Sequence, residues 1–282
     1  MEGLWSGLHR SPFEGFSVEF TEYRQYAPGD DLRYLDWKVL ARADREYIKK
    51  FEDETNLRAL VVADTSRSMS FASGNVSKMA YARTLAATFA YFLLQQRDIV
   101  GLGLFDDGIQ SYVPPRWRPG HFKRILSLLE GKARGQETNL SKTLEQISNL
   151  NRKRSLIIVV SDFLTPVADW EKQMSHLVAA GHDVRAVQIL DPAEESLEYG
   201  KAALWEDLET GKTLYVDPPE AAENYKANFS EHQSILRYAF EQHGVRYQIA
   251  KSDTPLYFAL LELIRTQRSQ ARAAYAKGGA RK

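Results

Sequence analysis

From residue 57 onward the chain alternates between two kinds of segment. Short runs rich in Val, Ile and Leu occur at Leu60–Ala63, Ile99–Phe105, Leu156–Val160, Val184–Leu190 and Val245–Ala250. They are apolar at nearly every position, as strands buried on both faces are. Between them, apolar residues recurring at helical spacing predict helices over Lys78–Gln96, His121–Leu129, Ser141–Leu150, Val167–Ala180 and Glu220–Gln242, with a further helix starting at Pro255. Strands alternating with helices predict an α/β fold, a doubly wound, mostly parallel sheet covered on both faces.

The helix Lys78–Gln96 is apolar nearly all round. Met79, Ala82, Leu85, Ala86, Phe89 and Phe92 form one face, and Tyr81, Ala90 and Tyr91 leave little polar surface opposite. Such a helix is covered on more than one side. The sheet supplies one cover, and residues 1–57 are expected to supply the other as a β-rich wrap. Within them Ser17–Tyr26 alternates as a strand does, Pro28-Gly29 signals a turn, and Arg45–Phe51 reads as a second strand. Tyr34 and Trp37 are expected to anchor this wrap by burying apolar area. Leu204–Leu208, a Thr210-Gly211 turn and Lys212–Val216 read as a β-hairpin inserted before the long helix. The expected organisation is a wrap over 1–57, an α/β domain over 58–264 with the hairpin near 204–216, and a C-terminal helix running into a basic tail over 265–282.

Composition narrows the chemistry. The chain has 282 residues and no cysteine, which excludes disulfides, thiolate zinc sites, iron–sulfur clusters and a thiol nucleophile. Its 37 basic and 37 acidic side chains cancel, but not evenly. Residues 265–282 carry six bases and no acid, while Asp191–Glu241 holds twelve acids against four bases. The tail has one aromatic, Tyr275, for base stacking, so no nucleic-acid partner is expected. The N-terminus lacks a basic start with an apolar core, and no apolar run approaches the ~20 residues of a membrane span, so the expected location is the cytoplasm.

The chemistry-bearing residues cluster in three loops. Asp64-Thr65-Ser66-Arg67-Ser68 directly follows the strand Leu60–Ala63. At the carboxyl end of a strand in an open α/β sheet, this places one carboxylate and two hydroxyls where such folds bind ligands. Oxygen donors of this kind suit a hard divalent cation; alternatively, the same residues turn the chain and cap the next helix. Asp162 follows Leu156–Val160 and should emerge at the same edge if the two strands are parallel neighbours. Thr138 lies in the loop that opens the helix Ser141–Leu150, where it either caps the helix or joins the other two loops.

This constellation resembles the metal-ion-dependent adhesion site (MIDAS) of von Willebrand factor A-type domains. The resemblance implies a Rossmann-type sheet in which Asp64, Ser66, Ser68, Thr138 and Asp162 hold Mg2+ or Mn2+. The third loop, Ser161-Asp162-Phe163, lacks the Gly that often follows this Asp. The stretch Glu19–Arg33, followed by Asp36-Trp37-Lys38, Ala41-Arg42 and Lys49-Lys50-Phe51-Glu52, is similar to the signature of the bacterial domain of unknown function 58 family. That resemblance implies association with a MoxR-type AAA+ ATPase in assembly or maturation of client proteins. The implied mechanism is adhesion, in which an acidic residue of a client completes the metal's coordination. The mixed charges of this N-terminal segment, Glu19 to Arg45, are expected to pair and cap within the chain rather than to catalyse.

Other signals lead elsewhere or nowhere. Gly101-Leu102-Gly103 begins like a dinucleotide fingerprint but lies in a strand, with Asp at 106, and no P-loop is present. The six histidines show no close ligand spacing, and His232 shares a helical face with Tyr225, Phe229 and Leu236, which points to packing. The expected function is therefore a non-enzymatic, metal-dependent protein-interaction module. The alternative is a metal-dependent hydrolase of phosphate esters, with Asp64 and Asp162 placing metal and water together.

Overall fold

Two alternating segments near the start of the chain pair with each other. In the computed structural model, β1 (Val18–Gln25) and β2 (Tyr47–Asp53) form an antiparallel ribbon, Val18 opposite Asp53 and Gln25 opposite Tyr47, with a register shift between Phe20 and Glu22. A short helix, α1 (Trp37–Ala43), lies between them in sequence and was not expected. The structure describes residues 18–28, 30, 35–43, 46–53, 57–133, 135, 137–196, 203–206, 213–216 and 218–264. Within this N-terminal unit, Arg24 pairs with Asp30 at 2.6 Å, Asp30 also accepts the Ala27 N–H, and Asp36 accepts the Val39 N–H at the start of α1. Arg24, Asp30 and Asp36 thus pair and cap, as the mixed sign of the segment suggested. Trp37 is 62% exposed, contrary to its expected anchoring role, because it stands at the first position of a short helix rather than in a buried strand. Tyr34 lies outside the described residues, as do the Thr210-Gly211 turn and the basic tail.

A second compact unit falls within Leu57–Thr266. Its sheet contains β3 (Arg58–Asp64), β4 (Ile99–Asp106), β5 (Gly108–Arg116), β6 (Leu156–Ser161), β7 (Asp183–Leu190) and, after the separate hairpin β8 (Ala203–Glu206) and β9 (Thr213–Val216), β10 (Arg246–Lys251). The order across the sheet is β10-β7-β6-β3-β4-β5. All neighbours are parallel except β4 and β5, which pair antiparallel. The strand β5 was not expected. Its Pro114-Pro115 and irregular polarity hide it, and prolines of this kind are tolerated because β5 is an edge strand.

Helices α2 (Lys78–Gln95), α3 (His121–Leu129), α4 (Leu140–Leu150), α5 (Val167–Ala179), α6 (Pro192–Ser196) and α7 (Pro218–Gln242) fill the connections. On one face, Leu140, Leu144 and Ile147 of α4, Trp170, Met174 and Leu177 of α5, and Leu236 and Phe240 of α7 bury the sheet side chains Leu60, Val62, Phe105, Ile157, Val159 and Val184. At ~25 cal/mol per Å² of apolar surface, burial of this kind is the main force holding the layers together. On the flank of α2, the ring of Tyr91 meets Phe122 of α3 at 5.3 Å and Arg83 reaches the Gly131 carbonyl at 3.0 Å. The chain winds outward from β3 in one direction through β4 and from β6 in the other through β7. The sheet therefore reverses between β3 and β6, and an open α/β sheet binds ligands in the crevice at the carboxyl ends of the strands flanking that reversal.

Candidate functional site at the switch point of the sheet

Parallel pairing of β3 with β6 sets Ala63 opposite Val160, so Asp64 and Ser161 leave the sheet side by side and Asp162 follows one residue on. Asp64 is 1% exposed and Asp162 2%. One Asp64 carboxylate oxygen accepts the Ser66 N–H at 2.9 Å, and the other accepts the Ser161 hydroxyl at 2.6 Å. Burial first, and then the neighbouring Asp162 carboxylate, push the Asp64 carboxyl up to about 7. The hydroxyls of Ser66 and Ser68 stand 3.1 Å apart.

Thr138 is brought close through the loops around it. Arg67 donates to the Gly135 carbonyl at 2.6 Å, which joins the first loop to the second, and the Asn139 N–H donates to the Asp106 carbonyl at 2.9 Å. The N-cap of α4 is Asn139, whose side chain accepts the Lys142 N–H at 3.0 Å, so Thr138 does not cap the helix. Its hydroxyl is buried with no hydrogen-bond partner among the described residues, and both carboxylate oxygens of Asp106 share that condition. A buried polar atom without a partner costs about 1–3 kcal/mol, and the Thr138 hydroxyl and the Asp106 carboxylate both carry that cost.

The third loop is held from several sides. Phe163 has a left-handed backbone, φ 52°, at the position where the resemblance leads one to look for Gly. Its ring packs against Trp170 and Phe240 at 6.0 and 5.3 Å, and its carbonyl accepts from His232 at 2.9 Å, so His232 packs and positions as its helical face indicated. Gln188 donates to the Asp162 carbonyl at 2.8 Å.

Sequence reasoning missed the charge beside Asp162. Lys78, the first residue of α2, is fully buried, and its Nζ lies 2.9 Å from Asp162 and also bonds Glu194 of α6. Burial alone would lower the Lys78 pKa, but Asp162 and Glu194 together hold it above its ordinary value. A lysine at a helix N-terminus stands against the helix dipole, which was the available signal that something acidic must face it. Ser161 was legible only through strand register, and Glu194 only through the position of α6.

The donor set fits a hard cation. The carboxylates of Asp64 and Asp162 and the hydroxyls of Ser66 and Ser68 stand at the carboxyl ends of β3 and β6, and the orphaned Thr138 hydroxyl lies on the loop that Arg67 joins to the first. Among the described residues there is no group of three or more His, Asp or Glu in metal-binding geometry. A cation here would therefore depend on the hydroxyls of Ser66, Ser68 and Thr138 as much as on Asp64 and Asp162.

Comparison with known proteins places this geometry in a family. An uncharacterized protein of Mycobacterium tuberculosis (strain ATCC 25618 / H37Rv) is 26% identical over 223 residues, covering 77% of this chain and 70% of its own length. The crystal structure of an aerotolerance-related membrane protein from Bacteroides fragilis NCTC 9343 matches 76% of this chain and 100% of that one, with TM-score 0.54 and 13% identity. The conserved hypothetical protein BatB from Bacteroides thetaiotaomicron matches 77% of this chain and 100% of its own, with TM-score 0.52 and 14% identity. At these identities the structural likeness concerns the fold. The model of the family described as protein of unknown function DUF58 matches residues 22–235, and the chain belongs to that family, built on a doubly wound, mostly parallel α/β sheet.

Proposed function

We propose that this chain is a non-enzymatic protein-interaction module whose partner binding depends on Mg2+ or Mn2+ held by Asp64, Ser66, Ser68, Thr138 and Asp162. The observation that supports this reading is the pair of buried carboxylates with two serine hydroxyls at the switch point of the sheet, and an orphaned Thr138 hydroxyl on the loop that Arg67 ties to the first. Bound there, the metal would supply a positive centre able to accept an acidic side chain from outside. The chain's own residues do the rest. Ser66 N–H and the Ser161 hydroxyl orient Asp64, Gln188 fixes the Asp162 main chain, and the Arg67–Gly135 contact keeps the first two loops together.

The partner proposed is a MoxR-type AAA+ ATPase, with the chain acting as its adaptor in assembly or maturation of a client that contributes the acidic residue. Family resemblance supports that assignment, and the hydroxyl-rich donor set supports adhesion over hydrolysis. Calorimetric titration with Mg2+ and Mn2+ is expected to show saturable binding that Asp64→Ala abolishes. Pull-down of the ATPase is expected to fail in EDTA and recover on adding Mg2+. Equal binding by wild type and Asp64→Ala would overturn the metal reading. Turnover of generic phosphoesters that Asp64→Ala abolishes would favour the hydrolase instead.

A further inference from the structure

Lys78 has the geometry of a cation already in place. Its ammonium is fully buried, 2.9 Å from the Asp162 carboxylate, and shared with Glu194. Its backbone is fixed by the start of α2, where Ser77 caps the helix by accepting the Ala80 N–H at 3.1 Å. The ammonium is thus delivered to Asp162 by a rigid element. Glu194 is also held: its other carboxylate oxygen accepts the Asp191 N–H at 2.9 Å, and its carbonyl accepts the Tyr225 hydroxyl. Asp191 in turn accepts the Ser73 N–H at 2.9 Å, which ties the segment leading into α2 to the end of β7. Nothing in this arrangement is needed to close the fold; hydrophobic residues of similar volume satisfy a core as well as a buried ion pair does. What it provides is a positive charge on one of the two carboxylates of the candidate site, with a second anion to which that charge can retire.

We propose that Lys78 is a tethered competitor of the metal, neutralising Asp162 when the site is empty and withdrawing to Glu194 when a divalent cation takes Asp162. The inference rests on the metal reading of the site given above. An intramolecular cation competes at high effective concentration, so it sets how much free metal is needed before Asp162 is surrendered. It also spares the metal-free protein a buried, unpaired carboxylate, which is costly. Glu194 then tunes the competition. The more strongly it holds the ammonium, the more readily Asp162 is released.

The two partners of Lys78 predict opposite effects. Lys78→Met frees Asp162 and is expected to tighten Mn2+ or Mg2+ binding about tenfold or more, because a like charge close to the ion is removed. In EDTA its melting temperature falls below wild type, and saturating Mn2+ raises it by more than it raises that of wild type. Glu194→Gln leaves Lys78 with Asp162 alone and is expected to weaken binding severalfold. In the Lys78→Met background Glu194→Gln should change affinity little if Glu194 acts through the lysine, as a double-mutant cycle resolves; a full, additive effect would show simple charge removal and overturn the proposal.

Calorimetry of metal alone on the full chain reads the affinities, and thermal unfolding in EDTA and in Mn2+ reads the stabilities. If wild type binds and Lys78→Met binds equally or more weakly, the competitor role is overturned and the metal site stands. If Lys78→Met binds and wild type does not, the lysine is the resident cation and the metal-dependent function falls. If neither binds, both fall. Should Lys78→Met fail to fold in either condition, Lys78→Gln takes its place in the same cycle, and an effect of Glu194→Gln as large in that background as in wild type overturns the competition.

Discussion

A left-handed backbone at a residue bearing a Cβ costs about 1–2 kcal/mol, and Phe163 carries one directly after Asp162. The aromatic cluster offsets that cost, since the Phe163 ring is 1% exposed and packed between Trp170 and Phe240. Truncation should separate the two contributions. Phe163→Ala is expected to destabilise by about 3–5 kcal/mol through the lost packing, whereas Phe163→Gly, which suits φ > 0, should be about 1 kcal/mol less damaging. Denaturant melts of both variants check this, and the reverse order would mean the backbone is not held left-handed in solution. A second residue carries a pH signature. Asp98 accepts the Leu57 N–H at 2.8 Å, while its other oxygen is buried without a partner among the described residues, and burial raises its pKa to about 7 against the pull of that hydrogen bond. A carboxyl raised above its unfolded value binds its proton more tightly when folded. Its stabilising contribution is therefore present in full below about pH 4 and is lost as the pH rises through about 7. Asp98→Asn keeps the acceptor and removes the titration, so its stability gain over wild type should be near zero at about pH 4 and reach about 1–4 kcal/mol at about pH 8. A gain independent of pH would contradict the burial argument. At this scale Asp64, Ser66, Ser68 and Asp162 were legible as a cluster, because residue type and position at a strand's carboxyl end are local facts, whereas Thr138, in the loop before α4, joined them through the resemblance. Lys78, Ser161 and Glu194 were not, because each meets its partner only after distant strands pair.

Among the elements, the parallel strands and long helices follow from local pattern because each is either buried on both faces or amphipathic over several turns. The elements that escaped do so for physical reasons. The helix α1 has seven residues and α6 five, too short for periodicity to accumulate. The strand β5 alternates poorly and contains two prolines. Its fit against β4 explains Gly101, which began as half of a false fingerprint. A Cβ built at Gly101 would stand 2.7 Å from the Pro115 ring and from its main-chain nitrogen, where no rotamer change can relieve the overlap. The β4–β5 register shifts at this point, between Val100 and Leu102. Gly101→Ala is therefore expected to destabilise by about 1–3 kcal/mol through overpacking, whereas Gly103→Ala, whose added Cβ meets only Val62 and Tyr112 side chains at 3.6 Å or more, should cost less. Thermal melts of the pair test the asymmetry.

For the whole molecule, strand order lay beyond reach of any local pattern, since hydrophobic runs reveal that strands are buried but not which are neighbours. The class of sheet was legible; the pairing of β3 with β6 that brings Asp64 and Asp162 to one edge could be stated only as a condition until the strand order was seen. Charge is likewise a property of the whole, with the acidic stretch Asp191–Glu241 and the basic residues 265–282 offsetting each other across a chain of zero net charge. Among the described residues, no helix is long and apolar enough to cross a membrane. One feature of the sheet bears on how copies of the molecule can meet. Pro114 and Pro115 deprive β5 of two consecutive N–H groups, one of them on its outer side, which blunts that border as a template for another strand. The opposite border, β10, contains no proline. Of the two borders of this sheet β10 is therefore the better suited to accept a strand, and a self-complementary junction through β10 closes at two molecules rather than propagating.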